Sequence, residues 1–379
     1  MLHKLNKIVV IPANSLAEYE KKGLDWLERY YNPAGIGNDV FCVSPWERGK
    51  FEAYGMNVIG VTKKTFRSVV ADIRPDVVRA YGAFSAADLA CKNKIPGIPT
   101  IVSVHDTANM SPFIIYADMV ICVSKAVAHE AMKLGVPKDR IRIMPNRIDR
   151  NVFQYTDDTR SVRDRFPAGK LILHVGRKTQ QKNIETVTRA LALLSQEYFC
   201  VFIGRGDTLP YVALAKECGV DHRIFWVDSV KNSELAQYYS MCDCMCTPSR
   251  WEGFGIVFIE AAACEAGIVT SDIAPMNEFL KHEENAHLVK NYESPQDIAD
   301  GIRKICEDDV YRKRLGVNAR IMAERFDMNL IDKQESQLYH ESLTLTPNPK
   351  ICGFVDKIVL NGYKLRRKVL RKFQKITTK

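Results

Sequence analysis

The sequence predicts an α/β fold of two Rossmann-like units followed by a basic amphipathic C-terminal helix. Three observations carry that expectation. Short β-branched runs alternate with helical stretches, the alternation restarts after a polar segment, and the net charge is confined to the last thirty residues. At 379 residues and 46% hydrophobic composition, the chain can bury a large core and is expected to form two domains.

The first unit is expected over residues 1–150. KIVVIPA (Lys7–Ala13), DVFCVS (Asp39–Ser44), PDVVRAYG (Pro75–Gly82), IPTIVSVHD (Ile98–Asp106) and ADMVICVS (Ala117–Ser124) read as buried strands, and RIRIMPNRID (Arg140–Asp149) as one more. Helical stretches such as SAADLACKNK lie between them, and that alternation implies a doubly wound parallel sheet. After the polar NVFQYTDDTRSVRDRF the pattern resumes with LILHVGR, FCVFIGRGD, RIFWVDS, DCMCTPS and GIVTSD, so a second unit is expected over 151–325, with the boundary near Asn151. Residues 326–343 read as a helix returning toward the first unit. Thr344–Pro349 (TLTPNP) reads as a linker.

Composition excludes several function classes. No window approaches the roughly 18 apolar residues of a membrane span, and the apolar Ile8–Pro12 falls far short of a secretory signal. Eleven cysteines at irregular spacing suit reduced cytosolic thiols. The net charge of +9 resembles a nucleic-acid signal until it is located: residues 350–379 hold ten Lys/Arg and the single acid Asp356. The preceding chain therefore carries 44 basic and 44 acidic residues. A basic tail on a neutral body argues for a local anionic partner and against nucleic acid.

Chemistry-bearing residues cluster in the second unit. HVGRKTQQKN places Arg177 and Lys182 around a loop after a strand, where backbone N–H groups at a helix N-terminus and two cations suit a diphosphate; a solvated loop could carry the same residues. FIGRGD (Phe202–Asp207) adds a glycine turn at Gly204 without the G-x-G-x-x-G spacing of a nicotinamide site. In RWEGFGIVFIEAAACEAGIVTSD (Arg250–Asp272), the carboxylates Glu252 and Glu260 flank a bare-backbone turn, which suggests a polyhydroxyl ligand. CDCMC (Cys242–Cys246) is expected to place Cys242, Cys244 and Cys246 on one strand face, as packed thiols ahead of a metal site. His174 reads as a buried strand residue.

Together these segments, with VSKAVAHEAMKLGVPKDRIRIMPNRID closing the first unit, resemble the retaining family-four glycosyltransferases of the GT-B fold. The resemblance implies two facing Rossmann-like domains with an interdomain cleft. It implies that Glu252 reaches the hydroxyls of the donor sugar, that the amides of Phe254, Gly255 and Ile256 approach that sugar, and that Glu260 accepts from the ribose hydroxyls. Glycine at 255 is expected because a Cβ would obstruct that approach. Arg177 and Lys182 would hold the leaving diphosphate, with Gly204 beside it, and His105 in SVHD would contact the sugar near its anomeric carbon. Charge developing on a departing diphosphate must be stabilised. The chain has no Asp-x-Asp, so cations and a helix N-terminus are expected to do this without a metal or other cofactor.

Three positions depart from the family pattern. The region ANSLAEYEKKGLDWLERYY has Gly23 alone where a glycine pair is usual, and Arg147 and Asp228 stand where glycine is common. The first bears on the acceptor site, the last on the wall expected beside the base. In the tail, Ile358, Leu365, Val369 and Ile376, with Phe354 and Phe373 nearby, fall on one helical face opposite Lys364, Arg366, Arg367, Lys368, Arg371 and Lys372. That pattern predicts residues 354–379 on an anionic membrane surface. The expected activity is retaining sugar transfer from a nucleotide-sugar donor to a glycan or glycolipid acceptor, at the inner face of the cytoplasmic membrane, in cell-surface polysaccharide or glycoconjugate assembly. The alternatives are a non-catalytic sugar-nucleotide-binding scaffold and a GT-B sugar-nucleotide epimerase.

Overall fold

The computed structural model describes residues 3–21 and 27–364. They divide into two units, residues 1–145 with 331–379 and residues 146–330. The boundary thus falls before Asn146 rather than near Asn151, because the PNRID segment pairs within the second unit: Ile148 bridges Asp327, and its N–H donates to the Phe326 carbonyl (3.0 Å).

The first unit holds an eight-stranded sheet built from β1 (Leu5–Ile11), β2 (Gly37–Ser44), β3 (Lys50–Ala53), β4 (Met56–Gly60), β5 (Val77–Ala80), β6 (Thr100–Val104), β7 (Met119–Cys122) and β8 (Ile141–Ile143). Their order is β3-β4-β2-β1-β5-β6-β7-β8. All pairs are parallel except the β3–β4 hairpin, which the sequence reading missed. Its turn takes left-handed backbone at Tyr54 (φ 51°) and Gly55 (φ 65°), the geometry whose twist suits a tight hairpin.

The second unit holds a fully parallel sheet of β9 (Lys170–Val175), β10 (Tyr198–Ile203), β11 (Ile224–Val227), β12 (Cys244–Cys246), β13 (Ile268–Ser271) and β14 (His287–Val289), in the order β11-β10-β9-β12-β13-β14. Helices cover such sheets on both faces, which is why β10 is buried at every position and reads as one apolar run. The chain order reverses between β9 and β12, creating a crevice at their carboxyl ends, where open α/β sheets take ligands. Cys244 and Cys246 pack with Cys200 and Cys306 in the core of this unit, whereas Cys242 precedes β12 and caps a helix. Among the described residues no group of His, Cys, Asp or Glu could hold a metal ion.

The helix Met328–Thr344 returns to the first unit through buried polar contacts. Arg79, wholly buried on β5, pairs with Glu335 (3.0 Å), and the Tyr81 hydroxyl donates to the same carboxylate (3.2 Å). Residues 344–349 do not form the expected free linker. They are strapped to the first unit through Asn348, which is 6% exposed. Among the described residues, no helix is long and apolar enough to cross a membrane.

Candidate active site

Two glycine turns interlock at the carboxyl ends of β9 and β10. Gly204, at φ 145°, leaves room for the Gly176 carbonyl; a Cβ there would sit 2.0 Å from that oxygen. Gly176, at φ 155°, leaves room for the Lys182 stem, whose Cε would lie 2.8 Å from an added Cβ. The Gly176 N–H donates to the Ile203 carbonyl (2.9 Å) and the Lys178 N–H to that of Arg205 (2.8 Å), fixing the loop after β9. Lys178 folds back to donate to the Gly204 and Val227 carbonyls (the latter 2.9 Å). Burial lowers its pKa, and the charge of Asp228 partly offsets that shift.

This loop aims Lys182 at Glu252, its Nζ 2.5 Å from Glu252 Oε1, with both residues buried. Gln181 bridges the neighbouring groups. Its Nε2 donates to the Trp251 carbonyl (2.8 Å) and Glu252 Oε2 (3.4 Å), and its Oε1 accepts from the exposed Arg177 (3.2 Å). His174 supports the loop from below, its Nε2 2.9 Å from the Lys182 carbonyl. Burial lowers its pKa to about 4, so the ring is neutral at physiological pH.

The segment after β12 is fixed by Arg250, which pairs with Glu293 (2.7 Å) and Glu185 (3.2 Å) and whose backbone N–H donates to the Gln181 carbonyl (2.8 Å). The chain then turns at Gly255 (φ 89°) into the helix Ile256–Ala263. Apart from any ligand, this glycine holds a left-handed conformation, and a Cβ would lie 2.6 Å from the Phe258 ring. Phe254 is anchored in a stack on Phe279 (5.0 Å) with Phe326 edge-on (5.5 Å), while Ile256 is exposed at the helix N-terminus. Glu260 lies within that helix, 9% exposed, and accepts from the Tyr239 hydroxyl (3.1 Å). Burial raises its pKa to about 7, against the opposing hydrogen bond from Tyr239 and the charge of Lys182.

In the second unit Lys182 and Glu252 are in direct contact, Arg177 reaches them through Gln181, Gly204 packs on Gly176 beside Lys182, and the chain from Glu252 passes Phe254 and Gly255 into the helix that carries Ile256 and Glu260. His105 belongs to the first unit, directly after β6, where the Asp106 carboxylate turns the chain by accepting from the Ala108 N–H (2.7 Å). Gly23 lies outside the described residues. Sequence reasoning did not single out Gln181, Arg250 or Lys178, whose partners lie up to about seventy positions away in the chain.

Two parallel-sheet α/β units of this topology define the GT-B class. The family models for glycosyl transferases group 1 and for glycosyltransferase family 4 match residues 156–322 and 59–152. This chain belongs to that family-four group and is a glycosyltransferase. It is 26% identical over 341 residues to an uncharacterized glycosyltransferase of Methanocaldococcus jannaschii, covering 83% of this chain and 86% of the relative. It is 27% identical over 216 residues to the N-acetylgalactosamine-N,N'-diacetylbacillosaminyl-diphospho-undecaprenol 4-alpha-N-acetylgalactosaminyltransferase of Campylobacter jejuni, covering 56% of this chain and 57% of that one. Among solved structures, Anabaena HepE in complex with UDP and glucose superposes with a TM-score of 0.74 at 18% identity, covering 89% of this chain and all of that one. Relatives of this group serve polysaccharide and glycoconjugate biosynthesis.

Proposed function

We propose that this chain transfers a sugar from a nucleoside-diphosphate donor to a glycan or lipid-linked acceptor, with retention of anomeric configuration and without a metal. One observation carries the donor half: the Lys182–Glu252 pair stands at the sheet's reversal point, flanked by Arg177, an open helix N-terminus and the buried Glu260. In this reading Arg177 and Lys182 take the charge that builds on the departing diphosphate. Glu252 and the amides of Phe254, Gly255 and Ile256 hold the sugar, and Glu260 takes the ribose hydroxyls. No carboxylate is assigned as nucleophile. The acceptor attacks on the face the diphosphate leaves, and a leaving phosphate oxygen takes its proton.

A lipid-linked acceptor accords with the undecaprenyl-linked substrate in the name of the Campylobacter relative and with the basic tail. The corresponding setting is the inner face of the cytoplasmic membrane. Leu365, Arg366, Arg367, Lys368, Val369, Arg371, Lys372, Phe373 and Ile376, expected in the tail helix, lie outside the described residues.

The test is a thermal-shift panel with UDP, GDP, ADP and dTDP, each with and without EDTA. A nucleotide at 100 times its Kd should stabilise the fold by about 2.7 kcal/mol. One nucleotide should raise the melting temperature, the rise should survive EDTA, and Glu260→Ala should abolish it. A panel in which no nucleotide shifts the protein would overturn the donor assignment, and EDTA-sensitive turnover would overturn the metal-free one.

A further inference from the structure

Beyond the helix Met328–Thr344 the chain is held against the first unit. The Asn348 backbone N–H donates to Asp118 Oδ1 (2.7 Å), and its Nδ2 donates to the carbonyls of Ile115 (2.9 Å) and Ala117 (3.0 Å). Its own carbonyl accepts from Lys94 Nζ (2.9 Å), which is also paired with Asp118 (2.7 Å). Cys352 is buried, and Asp356 accepts the Gly353 N–H (2.9 Å) where a new helical segment, residues 354–364, begins.

This segment is amphipathic in the opposite sense to a surface helix of a globular domain. The positions turned toward the domain, Asp356, Lys357, Leu360 and Lys364, are partly buried, and three of these four are charged. Lys364 Nζ pairs with Asp88 (2.7 Å) and lies 3.7 Å from the centre of the Phe84 ring, while Asn361 accepts from Lys92 (3.2 Å). The outward face carries Phe354 (78% exposed), Val355 (70%), Ile358 (59%) and Val359 (60%). That spacing makes one continuous helical stripe, and Ile351 extends it. A helix that turns three of its charged residues to its own domain and leaves an apolar stripe outside marks an interaction surface.

We propose that this face, Phe354, Val355, Ile358 and Val359, docks the first unit onto an anionic lipid surface. The inference rests on the membrane setting proposed above and supplies its residues. Charge selects the occupant: residues 350–379 carry ten Lys/Arg against one acid, while the rest of the chain is balanced. In sequence the stripe adjoins this cluster, and an apolar face next to basic residues suits acyl chains and anionic headgroups. A second copy of this chain would carry the same excess of positive charge in residues 350–379, which disfavours it as the partner. Because the strap and the Lys364–Asp88 pair fix the segment to the first unit, that unit as a body is oriented by the bilayer instead of trailing on a flexible tether.

The test is co-sedimentation of the full chain with phosphatidylcholine vesicles, with and without phosphatidylglycerol. The wild type should pellet with phosphatidylglycerol vesicles and not with pure phosphatidylcholine. Replacing Phe354, Val355, Ile358 and Val359 together by Ser leaves every cation in place and should weaken partitioning by about tenfold or more. Phe354→Ser and Val359→Ser, each at a solvent-facing site, should each lose part of it. Vesicle binding unchanged in the fourfold variant overturns the proposal, and so does a wild-type dimer that this variant converts to monomer. The nucleotide thermal shift, read on the same samples, separates the two readings. A wild type that ignores vesicles yet keeps its nucleotide shift overturns the docking face and leaves glycosyl transfer standing.

Discussion

Nucleotide affinity should rise with pH through neutrality, with Glu260 as the cause. The residue is 9% exposed within the helix Ile256–Ala263, and burial raises its pKa from the usual carboxylate range to about 7. Ribose hydroxyls donate, so the proposed contact needs the ionised acid. With a pKa near 7, about one molecule in eleven is ionised at pH 6 and about ten in eleven at pH 8, so affinity should increase about tenfold, close to 1.4 kcal/mol. The stability of the unliganded protein should move the other way. A carboxyl whose folded pKa is raised binds its proton more tightly in the folded state, so its contribution is complete below about pH 4.5 and is lost as pH rises through about 7. Calorimetric titration of the nucleotide selected by the thermal-shift panel, at pH 6, 7 and 8, reads the first effect. Glu260→Gln corrects for titration of the nucleotide's own phosphate and should remove most of the slope. Equal slopes in wild type and Glu260→Gln would refute the reasoning, as would a wild-type affinity that falls with pH.

Two further predictions concern the loop that carries Lys182. Gly204→Ala sets a Cβ 2.0 Å from the Gly176 carbonyl oxygen at φ 145° and should cost about 3 kcal/mol or more, whereas Gly219→Ala, at φ 67° with nothing within 4 Å, should cost only about 1 kcal/mol. Equal losses in denaturant titrations would show that the two glycine turns do not interlock. Lys182→Met strands the buried Glu252 carboxylate and should cost about 3 kcal/mol and abolish turnover; adding Glu252→Gln should restore part of the melting temperature and none of the turnover. A double variant no more stable than Lys182→Met would count against the buried pair.

What the sequence disclosed depended on whether a residue's setting was local. The main strands were legible because a sheet covered on both faces turns burial into an unbroken apolar run, as in YFCVFI of β10. The β3–β4 hairpin escaped because β3, at the sheet edge, is mostly exposed and lacks that run. Residues 344–349 have linker composition, yet Asn348 is fixed by Asp118, 230 positions away, which no local pattern announces. The helix face at 354–364 was partly foreseen through Phe354 and Ile358. The fit to the first unit adds Val355 and Val359, because the partly buried positions Asp356, Lys357, Leu360 and Lys364 decide which side faces out.

The site shows the same division. The residue types were legible from Gly-Arg … Lys and Glu-Gly-Phe-Gly, but not that Lys182 and Glu252, assigned to different parts of the donor, would hold each other. That pairing has a physical logic. A lone ammonium and a lone carboxylate, each nearly buried, would be costly to keep charged, and together they persist without ligand. An ammonium has three donors and Glu252 occupies one of them, so Lys182 can turn another to a phosphate oxygen without releasing the carboxylate. Glu252 would then stay oriented while the diphosphate binds, with Gln181 holding its second oxygen (3.4 Å). Under the glycosyl-transfer reading, Lys182 serves both the leaving group and the aim of Glu252 at the sugar. Replacing Lys182 should therefore lower kcat as well as weaken donor binding.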